Sequence, residues 1–161
     1  MCPNFQNTKD GQGFLPGRYL AAALLLTCAT CATAKEIPRQ CFDDAGKRFN
    51  LPRPDILRAL AQQESSSACI ARHSVNSNGT YDIGCMGINS SWLPMLHRQF
   101  GITEQDLLEP CTNVHVGAWI FAKNVRRFGD TWQAVGAYNA ASESKRMEYA
   151  WKIYRHLNAA R

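Results

Sequence analysis

A mainly α-helical domain with one small β-hairpin is the fold class that the apolar pattern of this chain predicts. Two observations carry the helical part. Val114, Ala118, Phe121, Val125 and Phe128 recur at the spacing of one helix face, and Met147, Ala150, Trp151 and Tyr154 do so within residues 143–157. A third confines the strand signal: between residues 70 and 92 the chain is loop-like, and Asn76-Ser-Asn-Gly79-Thr has the composition of a turn.

Taken in chain order, the first element is not part of the domain. Arg18, the apolar run that follows it, and Ala32-Thr33-Ala34 before Lys35 have the layout of a secretory signal, with removal expected after Ala34. The run is too short for a comfortable membrane span. The polar stretch before Arg18 is longer than such signals usually carry. The expected organisation is therefore a signal peptide over 1–34 and one domain over 35–161, with no repeat or long linker dividing it. Cys41 to Phe49 reads as a first helix closed by Asn50-Leu-Pro. Pro54-Asp55 opens a second that runs to Glu64. The hairpin region follows, and Thr103 caps a short turn through Leu108. The long helix is read as capped by Asn113 and ended by Gly129. Thr131–Tyr138 and Glu143–Leu157 supply the last two helices.

Length and charge bound the function. With 161 residues the chain builds one core. A formal charge of +5 without a basic block or an aromatic-interleaved basic stripe argues against nucleic acid and suits an anionic surface such as a bacterial envelope. Seven cysteines are an odd set, but loss of residues 1–34 leaves Cys41, Cys69, Cys85 and Cys111. An exported protein meets an oxidising compartment, where four cysteines allow three disulfide connectivities. No Cys-x-x-Cys spacing survives and His73, His97, His115 and His156 are scattered, so neither a metal site nor a cofactor is expected.

The residue with the most chemistry is Glu64. Ile56, Leu60 and Glu64 are spaced i, i+4, i+8, so a carboxyl group shares a helix face with apolar residues. Burial there favours the protonated form, which is what a general acid near neutral pH requires. A Glu curling out at the helix end, or one paired with an Arg, is the structural alternative.

Three stretches in order resemble the soluble lytic transglycosylase family: Ala59-Leu-Ala-Gln-Gln-Glu64-Ser65, the block Asn78–Ser90 containing Gly84-Cys85-Met86-Gly87-Ile88-Asn89, and Val135-Gly136-Ala137-Tyr138-Asn139-Ala140. The nearest likeness is to the small, specialised members that accompany conjugation, type IV pilus and type III secretion machines. The resemblance implies a lysozyme-like α+β fold, a periplasmic location, peptidoglycan glycan strands as substrate, and cleavage of the β-1,4 bond between N-acetylmuramic acid and N-acetylglucosamine. It implies Glu64 as the acid that protonates the glycosidic oxygen and then as the base that activates the muramic acid C6 hydroxyl. The product would be a 1,6-anhydro ring formed with help from the 2-acetamido group, a departure from the two-carboxylate scheme. Substrate contacts are implied for Ser65, Met86, Asn89, Tyr138 and Asn139, with Ser65 also read as steadying the helix end.

Asp82 also resembles the hairpin Asp of animal-type lysozymes, eighteen residues after the acid. It either stabilises developing positive charge or orders its own turn. Gly87 stands where the family usually has Gln, and is read as the loss of one substrate contact. Ala141 replaces the usual Gly after the last block. With the resemblance, the expected disulfides are Cys69–Cys85, closing the segment after Glu64 onto the Gly84–Met86 block, and Cys41–Cys111, which the family's relatives often share. Two rival functions stay open: a hydrolysing lysozyme using Asp82, and a glycan-binding assembly factor with weak catalysis.

Overall fold

Where apolar residues recur at helical spacing the chain is helical, in a computed structural model that describes residues 37–159. The expected signal segment, 1–34, lies outside the described residues. The helices are α1 (Arg39–Arg48), α2 (Asp55–Ser65), α3 (Leu93–Phe100), α4 (Pro110–Phe128), α5 (Trp132–Gly136) and α6 (Glu143–Ala159). Between α2 and α3 lies the single hairpin, β1 (Asp82–Ile83) and β2 (Ile88–Asn89), paired antiparallel with Asp82 opposite Asn89 and Ile83 opposite Ile88. The class is mainly α with a small two-stranded sheet, the lysozyme-like arrangement.

The core forms around α4, whose Val114, Ala118 and Phe121 are fully buried. α1 packs on α4 through Cys41, Phe42 and Ala45, and α2 adds Ile56, Leu57 and Leu60. α5 and α6 close the other side with Val135, Tyr149 and Ile153. Both expected disulfides are present: Cys41–Cys111 joins α1 to the start of α4 and Cys69–Cys85 joins the post-α2 loop to the hairpin. Their loops span 70 and 16 residues, so restriction of the unfolded chain contributes about 4 and about 3 kcal/mol respectively.

Three local expectations change. α4 begins at Pro110, and Asn113 is not its cap but a fully buried residue of the first turn. Proline at the helix start needs no N–H partner, which moves the boundary upstream. Thr131 does cap α5, accepting from the Ala134 N–H, although that helix stops at Gly136. On α6 the inward stripe is Tyr149, Ala150 and Ile153, whereas Met147, Trp151 and Tyr154 face outward. Trp132 and Trp151 instead meet Tyr154 edge-on at 5.7 and 5.4 Å, a surface aromatic cluster. α3 adds a helix that the pattern does not delimit, because only Leu96 is buried in it.

Candidate active site

α2 ends abruptly just after Glu64. Ser66 and Ser67 take left-handed backbone angles, φ 52° and 60°, and their N–H groups return to the Gln62 and Ala61 carbonyls. This closing turn satisfies the last helix carbonyls and sends the chain sharply away. Ser65 is buried, and its hydroxyl donates to the Ala61 carbonyl and, at 2.8 Å, to the Cys85 carbonyl. The end of α2 is therefore tied directly to the hairpin block. The Cys69–Cys85 bridge, the Gly84 N–H on the Ile70 carbonyl (2.8 Å) and His73 Nε2 on the Gly84 carbonyl (3.1 Å) complete the attachment.

The hairpin block is held from below by Asn113. Its Oδ1 accepts from the Met86 N–H at 2.8 Å, and its Nδ2 donates to the Ile83 and Leu107 carbonyls at 3.0 and 2.9 Å. Three of the four hydrogen-bonding directions of a buried amide are thus spent, two on the hairpin block and one on the Leu107 carbonyl just before α4. Tyr138 grips the same loop from above, its hydroxyl donating to the Met86 carbonyl at 2.9 Å. On the outer side Arg72, Tyr81 and Glu104 form a linked set, with Tyr81 Oη donating to Glu104 at 2.7 Å.

Glu64 faces this loop, half-buried. Desolvation is the main cause that raises its carboxyl above the usual range, and the charge of Asp82 adds to the rise. A hydrogen bond from Tyr149 Oη to Glu64 Oε1, with the charges of His73 and Lys152, works the other way. Burial and the nearby Glu64 charge push the Tyr149 phenol far upward, so it remains a donor. Tyr138 is likewise held protonated by burial and by Glu64 and Asp82. The arrangement is a carboxyl group whose pKa is raised by burial, oriented by a tyrosine, at the edge of a braced loop.

The structure brings Glu64, Asp82, Tyr138 and the Met86 backbone into one neighbourhood. Asp82 sits on β1, where its Oδ1 accepts from Asn89 Nδ2 at 2.8 Å. Asn89 is fully engaged: Nδ2 also reaches Thr80 Oγ1, and Oδ1 accepts from the Ser91 N–H. Asn139 is exposed just past α5. Ser65 and Met86 point inward, and both side chains are committed to the fold, Met86 packing on Gly117 in the core. Gly87 borders Glu64 directly. Its φ is +58°, and a Cβ there would stand 2.8 Å from Glu64 Oε2, so the carboxylate occupies the space a side chain would need. A side chain at this position would therefore have to displace Glu64 or the loop before it could reach substrate.

Tyr149 is not singled out by the sequence pattern, and Asn113 reads there only as a helix cap. A tyrosine four residues before Ile153 lies on the same stripe of α6, a signal that was present. Nothing local marks Asn113. Among the described residues no group of three or more His, Cys, Asp or Glu is placed to hold a metal ion, and no helix is long and apolar enough to cross a membrane.

A lysozyme-like fold with one braced glutamate, its carboxyl raised by burial, defines a glycan-cleaving class. Comparison narrows it. The transglycosylase SLT domain model matches residues 40–152. Protein IpgF of Shigella flexneri is 40% identical over 120 residues, covering 71% of this chain and 77% of the relative. Invasion protein IagB of Salmonella typhi is 41% identical over 125 residues, 73% and 76% of the two chains. A peptidoglycan-binding-like protein of Escherichia coli O157:H7 is 39% identical over 124 residues, 71% and 74%. The chain belongs to the SLT transglycosylase family and is a peptidoglycan lytic transglycosylase.

Proposed function

We propose that the protein cuts the bond between N-acetylmuramic acid and N-acetylglucosamine with Glu64 as its single acid and base, releasing 1,6-anhydro ends. The observation that carries this reading is the half-buried Glu64 carboxyl, raised by desolvation and oriented by Tyr149. Protonated Glu64 donates to the leaving oxygen. The oxocarbenium-like centre is sheltered by the substrate's own acetamido group, and the Glu64 carboxylate then takes the proton of the C6 hydroxyl. That oxygen closes on C1, so no water enters the product. Tyr149 steadies the carboxylate formed midway, since a hydrogen bond to a charged group is worth more than one to a neutral group. Tyr138 and Asn139 line the sugar side, while Ser65, Met86 and Asn89 hold the loop that faces it.

Asp82 favours this over water-dependent hydrolysis. One of its oxygens is already engaged by Asn89 on the hairpin, which suits a structural and electrostatic role. Asp82→Asn is accordingly expected to keep substantial activity. Digests of purified sacculi by the wild type and by this variant should both yield muropeptides one water lighter than reducing-end products in a mass spectrum. Reducing-end products alone would make the enzyme a lysozyme.

Tyr149→Phe tests the orienting bond. Because that bond lowers the Glu64 carboxyl, its loss lets the acid form persist to higher pH. The alkaline limb of the rate profile should move upward while the maximal rate falls about tenfold, the loss of one charge-assisted hydrogen bond. An unmoved limb would separate Tyr149 from the proton transfer.

Residues 1–34 are proposed to export the chain to the periplasm, where it opens the wall locally for an envelope-spanning secretion, conjugation or pilus machine. The likeness to an invasion protein supports that setting.

A further inference from the structure

The last two helices and the loop that joins them carry both tyrosines of the site, and one guanidinium fastens the three together. α5 leads into Tyr138 and Asn139, and α6 brings Tyr149 to Glu64. The helices touch backbone to backbone, since a Cβ on Gly136 would collide with the Arg146 carbonyl. From that crossing the half-buried Arg146 side chain turns back over the loop. Its Nε donates to Gln133 Oε1 at 2.9 Å, and its Nη1 donates to the Ala141 carbonyl. Its Cζ lies 5.0 Å from the centre of the Phe128 ring, at the end of α4. Gln133 in turn donates through Nε2 to Glu143 Oε1 at 3.3 Å, so the first turn of α6 is tied to α5 twice. Among the described residues Arg146 forms no ion pair. What it supplies is geometry: two fixed donors at an angle and a flat face, a combination particular to a guanidinium.

We propose that Arg146 is a positioning residue: it fixes the sugar-side loop, and Asn139 in particular, where the glycan strand binds, without meeting substrate itself. The inference rests on the reading of Asn139 as lining the sugar side. Tyr138 has its own anchor in the Met86 carbonyl, so its place is secured from the hairpin. Asn139 is exposed and stands two positions before the carbonyl that Arg146 holds. Its N–H donates to the Gly136 carbonyl at 3.2 Å, and beyond Ala140 the chain must still turn back into α6. That return is where the guanidinium binds. A loop held there is ordered before the strand arrives, so binding loses less entropy. A contact made alike with bound substrate and with the transition state changes KM and leaves kcat. The clamp therefore sets affinity for the strand, whereas Glu64 and Tyr149 serve the chemistry.

The test measures kcat and KM on soluble, uncrosslinked glycan strands, well below the melting temperature of each variant. Arg146→Met keeps the stem and removes both donors, while Arg146→Lys keeps the charge and loses the fork. Both are expected to raise KM about three- to tenfold, the ordering cost of one side chain, with kcat within about twofold of the wild type. Asn139→Ala should raise KM by itself, and Arg146→Met should add little in that background, because the two act through one contact. A normal KM in Arg146→Lys beside a raised one in Arg146→Met overturns the proposal and leaves simple attraction of a cation to an anionic strand. A lowered melting temperature with KM unchanged also overturns it and makes Arg146 a fastening of the fold alone. Full additivity with Asn139→Ala does the same, since Arg146 would then act elsewhere. An unchanged KM in Asn139→Ala, with KM raised in Arg146→Met, would instead defeat the underlying reading of Asn139, and the proposal with it.

Discussion

Glu64→Gln is expected to reduce release of muropeptides by about 10²–10⁴-fold, the contribution of a positioned general acid. The amide keeps the shape of the side chain and an oxygen to accept from Tyr149, so folding and glycan binding should survive. What disappears is the proton for the leaving oxygen and the carboxylate for the C6 hydroxyl. The same group sets the pH behaviour. Because burial raises Glu64 above its unfolded value, the wild-type rate should decline as pH rises through that elevated value and the acid form is lost. Stability follows the same sign. The protonated form is favoured in the folded state, so the stabilisation is complete below the unfolded pKa and fades as pH rises through the folded one. The Gln variant never ionises. It should melt with the wild type in acid and above it near neutral pH, a difference visible in thermal scans at two pH values. Near-normal turnover by Glu64→Gln would remove Glu64 from the reaction.

Much of this site was legible because it obeys short-range rules. The i, i+4, i+8 spacing of Ile56, Leu60 and Glu64 is a property of one helix, and the structure turns Glu64 to the half-buried side accordingly. The turn composition at 76–80 marked the hairpin, although its strands hold only two residues each. What was not legible depends on how helices dock. Tyr149 meets Glu64 across 85 positions of chain, and that contact exists only because α6 lies over the end of α2. The outward Trp151 and Tyr154 show the same limit: α6 carries two apolar stripes, and only packing decides which is buried. Asn113 sits at the start of a strongly periodic helix, where an asparagine usually reads as a cap. Its burial reflects three backbone groups, at Ile83, Met86 and Leu107, that needed partners. Such long-range polar satisfaction leaves no periodic trace.

Gly87 is where the surroundings argue against the expectation drawn from the sequence, and it yields the second large effect. A missing Gln reads as a missing substrate contact, so its return should tighten binding. Two physical facts reverse that expectation. The backbone at Gly87 is left-handed, which disfavours a residue with a side chain by roughly 1–2 kcal/mol. A Cβ would also lie 2.8 Å from Glu64 Oε2, 3.2 Å from its Cβ and 3.3 Å from its Cγ. Glu64 cannot simply swing aside, because Tyr149 holds one carboxylate oxygen and the α2 end is fastened to the loop through Ser65 and Cys69. The added side chain must therefore move the proton donor or deform the loop carrying Gly87. Gly87→Gln is expected to lower kcat by about 10²-fold, the penalty for displacing a reacting group by an ångström or so, with folding weakened by the backbone term. Gly87→Ala separates the causes: it retains the Cβ collision and the backbone strain but brings no amide. Similar losses in both variants would locate the defect at the Cβ, beside Glu64. Tighter binding with an undiminished rate in Gly87→Gln would show that the loop relaxes around a side chain and that the space beside the carboxylate is not required.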